Sequence, residues 1–296
     1  MKVAVVAHAD KRLGGGLPEL RRVLEAEGVG DPLWYEVPKA KRAPDQVRRA
    51  LEEGADLVFA WGGDGTVRRC AGELVGEDAC LAVLPAGTAN LFALNFGIPA
   101  DLEQAVDIGL HGARRRLDVG RFGDERFAVM AGVGFDAAMI RGAEDLKERI
   151  GRAAYLWSGS RSLRGQAFEA EIEVDGTDWF AGDATCILLG NVGELFGGVA
   201  VFPDARPDDG QLDLGVVTAE GAVQWARTLA RTAAGDPSRS PFVRATKARV
   251  VKVKLDRKVR YELDGGDRKK VRSFKVKVEP GALRLCVPRE GSDDGD

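Results

Sequence analysis

Apolar residues fall along this chain in two rhythms. Over roughly the first hundred residues, short apolar runs at 3–7, 33–37, 57–62 and 81–85 alternate with polar segments whose apolar residues recur every three or four positions. Runs apolar on both faces predict buried parallel strands, and the spaced segments predict helices over 17–27, 44–53, 67–74 and 102–110. Asp45 sits in the first turn of the second helix, and Asp101 is placed to cap the last. Strand and helix in strict alternation predict a doubly wound α/β domain over residues 1–115.

After Gly112 the period drops to two. Residues 116–122 and 126–131 read as a hairpin closed by Gly123-Asp124. Further strands are expected at 168–175, 185–191, 212–217, 249–255 and 274–278, making residues 116–289 a β-rich second domain, with return of its last strand to the first domain left open. The acidic tail, 290–296, is expected to be disordered. In the late strands Lys252 and Lys254 alternate with Val251, Val253 and Leu255, and Lys275 and Lys277 with Phe274, Val276 and Val278. Such lysines guard a sheet edge against pairing, or attract anionic lipid.

Composition narrows the function. Among 296 residues, 43 Lys and Arg face 46 Asp and Glu, a net charge of −3, which argues against a nucleic-acid partner. Cys70, Cys80, Cys186 and Cys286 lack metal-type spacing and read as reduced, buried thiols. Two histidines, His8 and His111, are too few for a His-based metal cluster or a serine-type triad. The first apolar run is too short for a signal-peptide core, and no run approaches the roughly 18–20 residues of a membrane span. A cytoplasmic protein is expected.

The chemistry concentrates in two strand-to-helix turns. In the first, Gly62-Gly63-Asp64-Gly65-Thr66 ends an apolar run and opens a helix. Glycines there expose backbone N–H groups to phosphate. Asp64 would repel phosphate unless Mg²⁺ bridges the two, or unless its carboxylate is taken by amides or ribose. A plain glycine-rich turn with Asp64 as helix cap is the simpler reading. The second turn, Pro85-Ala86-Gly87-Thr88-Ala89-Asn90 running into Leu91-Phe92-Ala93, offers a hydroxyl and an amide in place of the acid. Neighbouring parallel strands would bring both loops to their carboxyl ends, where open α/β sheets bind ligands.

Together these two motifs resemble the diacylglycerol kinase catalytic domain family, bacterial lipid kinases related to sphingosine and NAD kinases. The resemblance extends through Gly132-Val133-Gly134-Phe135-Asp136, the segment 190–198 and Asp208-Asp209-Gly210. It implies that the second domain is a β-sandwich with a cleft between it and the first. It implies ATP with Mg²⁺ as cofactors and a lipid alcohol such as diacylglycerol as acceptor. Gly62, Gly63, Asp64, Gly65, Thr66, Gly87, Thr88 and Asn90 would form the nucleotide cradle, with Lys11 of the first loop beside them. Asp64 would act through Mg²⁺.

The family's base is the third residue of an Asp-Gly-acid triplet. Here Asp264-Gly265 is followed by Gly266, and the acid comes next, at Asp267, so Asp267 is the expected base and Asp264 shapes the turn or orients its neighbour. Leu91 also stands where many relatives carry Asp. A structural divalent ion is implied at the Asp209 side chain with the carbonyls of Arg206 and Gln211. Leu195 and Phe196 would meet acyl chains, and the apolar and basic segment 151–164 either touches lipid or packs on the sandwich. Membrane contact would be transient, and a homodimer stays open. A degenerate member that binds nucleotide or lipid without phosphoryl transfer is the alternative. A soluble NAD kinase shares the Asp64 loop but fits the second motif less well.

Overall fold

The computed structural model describes residues 1–134, 167–195, 199–219, 224, 228 and 240–289. Phe135 and Asp136, the segment 151–164, Phe196 and the acidic tail lie outside the described residues. Two compact units divide the chain, one made of Met1–Val119 with Pro280–Asp296, the other of Gly120–Glu279.

The first unit runs β1 (Val3–His8), α1 (Leu17–Ala26), β2 (Leu33–Val37), α2 (Ala43–Glu52), β3 (Leu57–Gly62), α3 (Asp64–Leu74), β4 (Cys80–Pro85), α4 (Leu91–Asn95) and α5 (Leu102–His111). Its strands pair in parallel in the order β4-β3-β1-β2. Every residue of β3 and β4 is buried, as the unbroken apolar runs require of a sheet covered on both faces. α1 and α2 each carry a proline in the first turn, where its missing N–H costs nothing. Asp101 caps α5, accepting the Gln104 N–H at 2.9 Å. α5 lies hard on the sheet: a Cβ at Gly109 would fall 2.2 Å from the Phe59 ring.

β5 (Ala113–Phe122) leads from the first unit into the second. There follow β6 (Glu125–Phe127), β7 (Met130–Val133), β8 (Phe168–Val174), β9 (Thr177–Ala184), β10 (Cys186–Gly190), β11 (Glu194–Leu195), β12 (Val199–Ala200), β13 (Leu212–Val217), β14 (Val243–Ala248), β15 (Val250–Leu263) and β16 (Gly266–Val287). Within the second unit pairing is antiparallel, in the order β14-β13-β10-β7-β15, with β15 also bonded to β8 and β16. Phe127, Phe168, Ile172, Leu189, Leu214 and Val253 belong to its core. The Phe122 ring stacks on Tyr261 and Phe274, with centroids 4.5 and 4.6 Å apart.

Four described strands lie outside the expected set, the two-residue β11 and β12 and the longer β9 and β14. β9 buries only Phe180 and Ala184, and β14 only Ala248, so neither shows a two-residue apolar period. β15 continues well past position 255, because Val259 and Leu263 keep pointing inward beyond an irregularity between Lys254 and Val259. The lysine-bearing strands are not edges. β15 is flanked by β16 and by β7 and β8, and β16 pairs with both β15 and β5, so edge protection does not explain their lysines.

β16 leaves the second unit and ends in the first, where Leu285 pairs in parallel with Leu81 of β4. The Gly76 N–H donates to the Ala282 carbonyl at 2.8 Å, and the Gly281 N–H donates to Asp118 at 2.7 Å. All four cysteines are buried free thiols.

Candidate functional site

In the first unit, β3 and β4 end side by side and their loops touch. A Cβ on Gly87 would lie 2.4 Å from the Gly63 Cα and 2.6 Å from Asn90 Oδ1. A Cβ on Gly62 would lie 2.6 Å from the Thr66 side chain. Glycine is therefore required at 87 by close approach of backbone, and at 62 by the Thr66 side chain packed against it. Gly63 precedes α3 in an extended conformation, and its carbonyl accepts the Thr66 and Val67 N–H groups at 2.8 and 3.1 Å.

Asn90 shapes the second loop rather than projecting from it. Its backbone is left-handed, with φ 48°, a conformation that Asn tolerates well. Its Oδ1 accepts the Gly87 N–H at 2.9 Å, and its Nδ2 donates to the carbonyls of Pro85 and Gly87, each at 3.1 Å. Thr88, at the tip, is exposed. Leu91, standing where an acid was expected, is buried.

Asp64 connects the two loops. Its Oδ1 accepts the Phe92 N–H at 3.1 Å, so a carboxylate from the first loop holds the amides at the start of α4 in the second. Burial pushes its pKa up, while amides of Phe92, Asp64, Leu91 and Asn90 pull it down. Of the arrangements open to Asp64 from sequence, the amide-bonded one is observed. Lys11 is exposed, and its carbonyl accepts the indole N–H of buried Trp61 at 3.1 Å, which ties the loop after β1 to the end of β3.

The second unit holds the other expected residues. Asp264 is buried and left-handed, with φ 46°. Its Oδ1 accepts the Val129 and Met130 N–H groups, each at 2.9 Å, and its Oδ2 accepts that of Ala128 at 3.1 Å. A carboxylate engaged by three amides is a latch on this segment, not a proton acceptor. Asn191, which the sequence did not single out, supports the same segment, donating to the Ala128 carbonyl at 3.0 Å.

Asp267 is exposed, near the start of β16 and paired in register with Glu262. Along a strand successive side chains take opposite faces. Asp267 therefore faces away from the side to which an acid at position 266 would point. It lines a recess of about 510 Å³ with Arg260, Arg268, Lys269 and Lys270.

The Asp209 turn departs from its expected role. Asp209 Oδ1 accepts the Gln211 N–H at 2.9 Å, and its Oδ2 binds the Lys247 ammonium. Lys247 Nζ also lies 3.4 Å from the Asp204 carbonyl and 3.9 Å from Asp213. Strand register places it there, because Lys247 of β14 pairs directly with Asp213 of β13. Burial pushes Asp213 up to about 6, against the pull of Lys247. A lysine ammonium thus holds the Asp209 carboxylate at which a divalent ion was expected, so that side chain does not fit the ion as arranged, while Arg206 and Gln211 stay ligands by expectation only.

Lys247→Met should cost about 1–2 kcal/mol, the worth of breaking a half-buried charge pair. Mg²⁺ or Ca²⁺ should restore part of that loss, while the parent's melting temperature should ignore chelator. A parent that melts lower in chelator, and not after Asp209→Asn, would restore the metal to this turn.

Residues 10–122 match the diacylglycerol kinase catalytic domain, and residues 129–287 match the YegS C-terminal NAD kinase beta sandwich-like domain. A Pseudomonas putida protein named "Probable lipid kinase YegS-like" is 36% identical over 246 residues, spanning 82% of this chain and 80% of that one. The chain belongs to the YegS-like lipid kinase family. A Pseudomonas fluorescens relative of the same name is 33% identical over 98% of this chain and 96% of its own.

Among solved structures, a diacylglycerol kinase from Bacillus anthracis shares the fold with a TM-score of 0.76 at 19% identity, covering 97% of this chain and 96% of that one. An NAD kinase from Archaeoglobus fulgidus in complex with ATP follows at 0.52 and 13% identity, covering 97% and 93%. The lipid kinase family thus carries the two-part fold expected from sequence, an α/β unit followed by a β-sandwich-like one. No helix among the described residues is long and apolar enough to cross a membrane.

Gly87→Ala tests the loop contact. The added methyl meets backbone that cannot swing aside, so the variant should lose about 1–3 kcal/mol. ATP affinity should fall at least tenfold. Denaturant unfolding and nucleotide titration measure the two effects, and unaltered affinity would detach the loop from nucleotide binding.

Proposed function

We propose that this chain is an ATP- and Mg²⁺-dependent kinase that transfers the γ-phosphoryl group to a lipid hydroxyl such as that of diacylglycerol. The observation that carries the reading is the contact of Gly63 with Gly87, which joins two glycine turns at the carboxyl ends of adjacent parallel strands. Backbone amides presented without side chains suit phosphate. Gly62, Gly63, Gly65 and Thr66 approach it from one loop, Gly87 and Thr88 from the other, and Lys11 adds a positive charge. Asn90 keeps the second loop in shape.

Mg²⁺ is usually held by one or two carboxylates together with substrate phosphates. A single Asp64 beside a phosphate cradle fits that requirement. The ion would neutralise charge on the transferring phosphates. Phosphoryl transfer depends mainly on positioning and charge stabilisation. Asp267 is assigned the proton of the acceptor hydroxyl, with Asp264 fixing the turn from which β16 starts.

The binding-only reading has one specific observation behind it, the opposite facing of Gly266 and Asp267 along β16. Radiolabel transfer from ATP to a panel of lipid alcohols separates the two. Label on a lipid establishes the kinase; nucleotide or lipid binding with no label on any alcohol establishes the binder.

A further inference from the structure

The hairpin of β15 and β16 carries a concentration of positive charge that its place in the fold does not explain. On the side away from the core, β15 exposes Lys252, Lys254, Lys258 and Arg260, and β16 exposes Lys270, Lys275 and Lys277. Register sets Lys252 directly opposite Lys275, and Arg260 directly opposite Lys270. Like charges facing each other across strands are destabilising, and here they sit on strands with neighbours on both sides.

Acids offset only part of the charge. Lys252 pairs with Glu173 at 2.7 Å, and Lys254 lies opposite Glu171 of β8. Asp256 accepts the Glu169 N–H, and Arg268 is held by Glu125 at 2.6 Å. Asp267 is the one acid lining the recess at the hairpin end, against Arg260, Arg268, Lys269 and Lys270. The chain as a whole has a net charge of −3, so this is a basic patch on an acidic protein.

We propose that the exposed face of the β15–β16 hairpin is an electrostatic docking surface for an anionic bilayer leaflet. The choice of partner rests on the lipid-kinase reading, since an enzyme whose acceptor lies in a membrane must approach one. Lys270, Lys275 and Lys277 supply the attraction that the acids of β8 leave uncancelled. Anionic headgroups between opposed cations would relieve their repulsion, so binding and fold stability reinforce each other on the bilayer. Attraction of this kind falls off within a Debye length and weakens with salt.

The test is sedimentation of the full chain with vesicles of phosphatidylglycerol mixed into phosphatidylcholine, against phosphatidylcholine alone. The parent should bind the anionic vesicles, bind the neutral ones at least tenfold more weakly, and be released by salt. Lys275→Glu with Lys277→Glu should weaken anionic-vesicle binding about tenfold. That pair should leave transfer to a short-chain, water-soluble lipid alcohol unchanged.

Equal binding to both vesicle types overturns the surface and leaves the kinase reading standing. Release by inorganic phosphate or ATP beyond that by chloride of equal ionic strength overturns it too, in favour of a pocket for a free anion. Anionic-vesicle binding that is lost in the variant upholds the surface even if no lipid is phosphorylated. Should the double variant fail to fold, the parent's dependence on vesicle charge and salt still decides.

Discussion

Asp64→Asn should abolish phosphoryl transfer while leaving the protein at least as stable as the parent. The amide oxygen can still accept the Phe92 N–H that Asp64 accepts at 3.1 Å, so the joint between the loops survives. The negative charge does not survive, and neither does the only acid within either glycine loop. A loss of at least about a thousandfold in kcat is expected, at the upper end of what one electrostatic contact at a reacting centre is worth.

The stability half follows from the direction of the pKa. Burial raises the Asp64 pKa in the folded chain, so the ionised carboxylate opposes folding. A raised carboxyl pKa gives a contribution that is most favourable below the unfolded value and is lost as pH rises through the folded one. At neutral pH the parent bears that cost and the Asn variant does not. Melting temperatures of the two should converge in acid and differ, if at all, in favour of Asn at neutral pH. A folded variant with normal turnover would remove Asp64 from the chemistry.

Asp267→Asn should lower kcat by about two to four orders of magnitude, the usual worth of a general base, with ATP affinity nearly unchanged. A companion measurement addresses the face. Gly266→Glu in the Asp267→Asn background puts an acid at the position where the family resemblance leads one to expect it, on the other side of β16. Recovery of activity would assign the base to that face. Full activity in Asp267→Asn alone would show that transfer here needs no carboxylate on this strand. Label transfer to a lipid alcohol measures both variants, and the Asp264 latch remains intact in each.

Sequence made the first unit legible because its signals are local. Fully apolar strands, prolines in first turns and the Asp101 cap each act within a few residues, and β1 to β4, α1, α2 and α5 lie within a residue of where they were expected; α3 starts three residues early, at Asp64, and the short α4 was expected only as a helix start. The second unit was harder. β9 and β14 bury too few side chains to show a period, and β15 crosses an irregularity that breaks the count. At the site, glycine spacing revealed the loops, but only three-dimensional proximity shows Gly87 against Gly63. The same holds for Asp64 on the amides of α4 and for Asp264 on Ala128, Val129 and Met130. Lys247 on Asp209 depends on strand register, which a single sequence does not display. The metal at the Asp-Asp-Gly turn was implied by the family resemblance, not by the turn itself.

The return of β16 to the first unit governs how the chain can be made. While residues up to Val119 emerge from a ribosome, β4 has β3 on one side and nothing on the other, because Leu285 has yet to be synthesised. The intervening Gly120–Glu279 takes on the order of ten to thirty seconds to translate at about 5–20 residues per second. Through that interval a fully buried apolar strand waits with an open hydrogen-bonding edge, the condition that favours pairing with the wrong chain. The inserted unit can complete its own core first, and the two glycine loops then become permanent only when the last strand closes over β4. A nascent chain arrested before Pro280 should be held by chaperones and open to protease at β4, whereas one released after Val287 should resist digestion there.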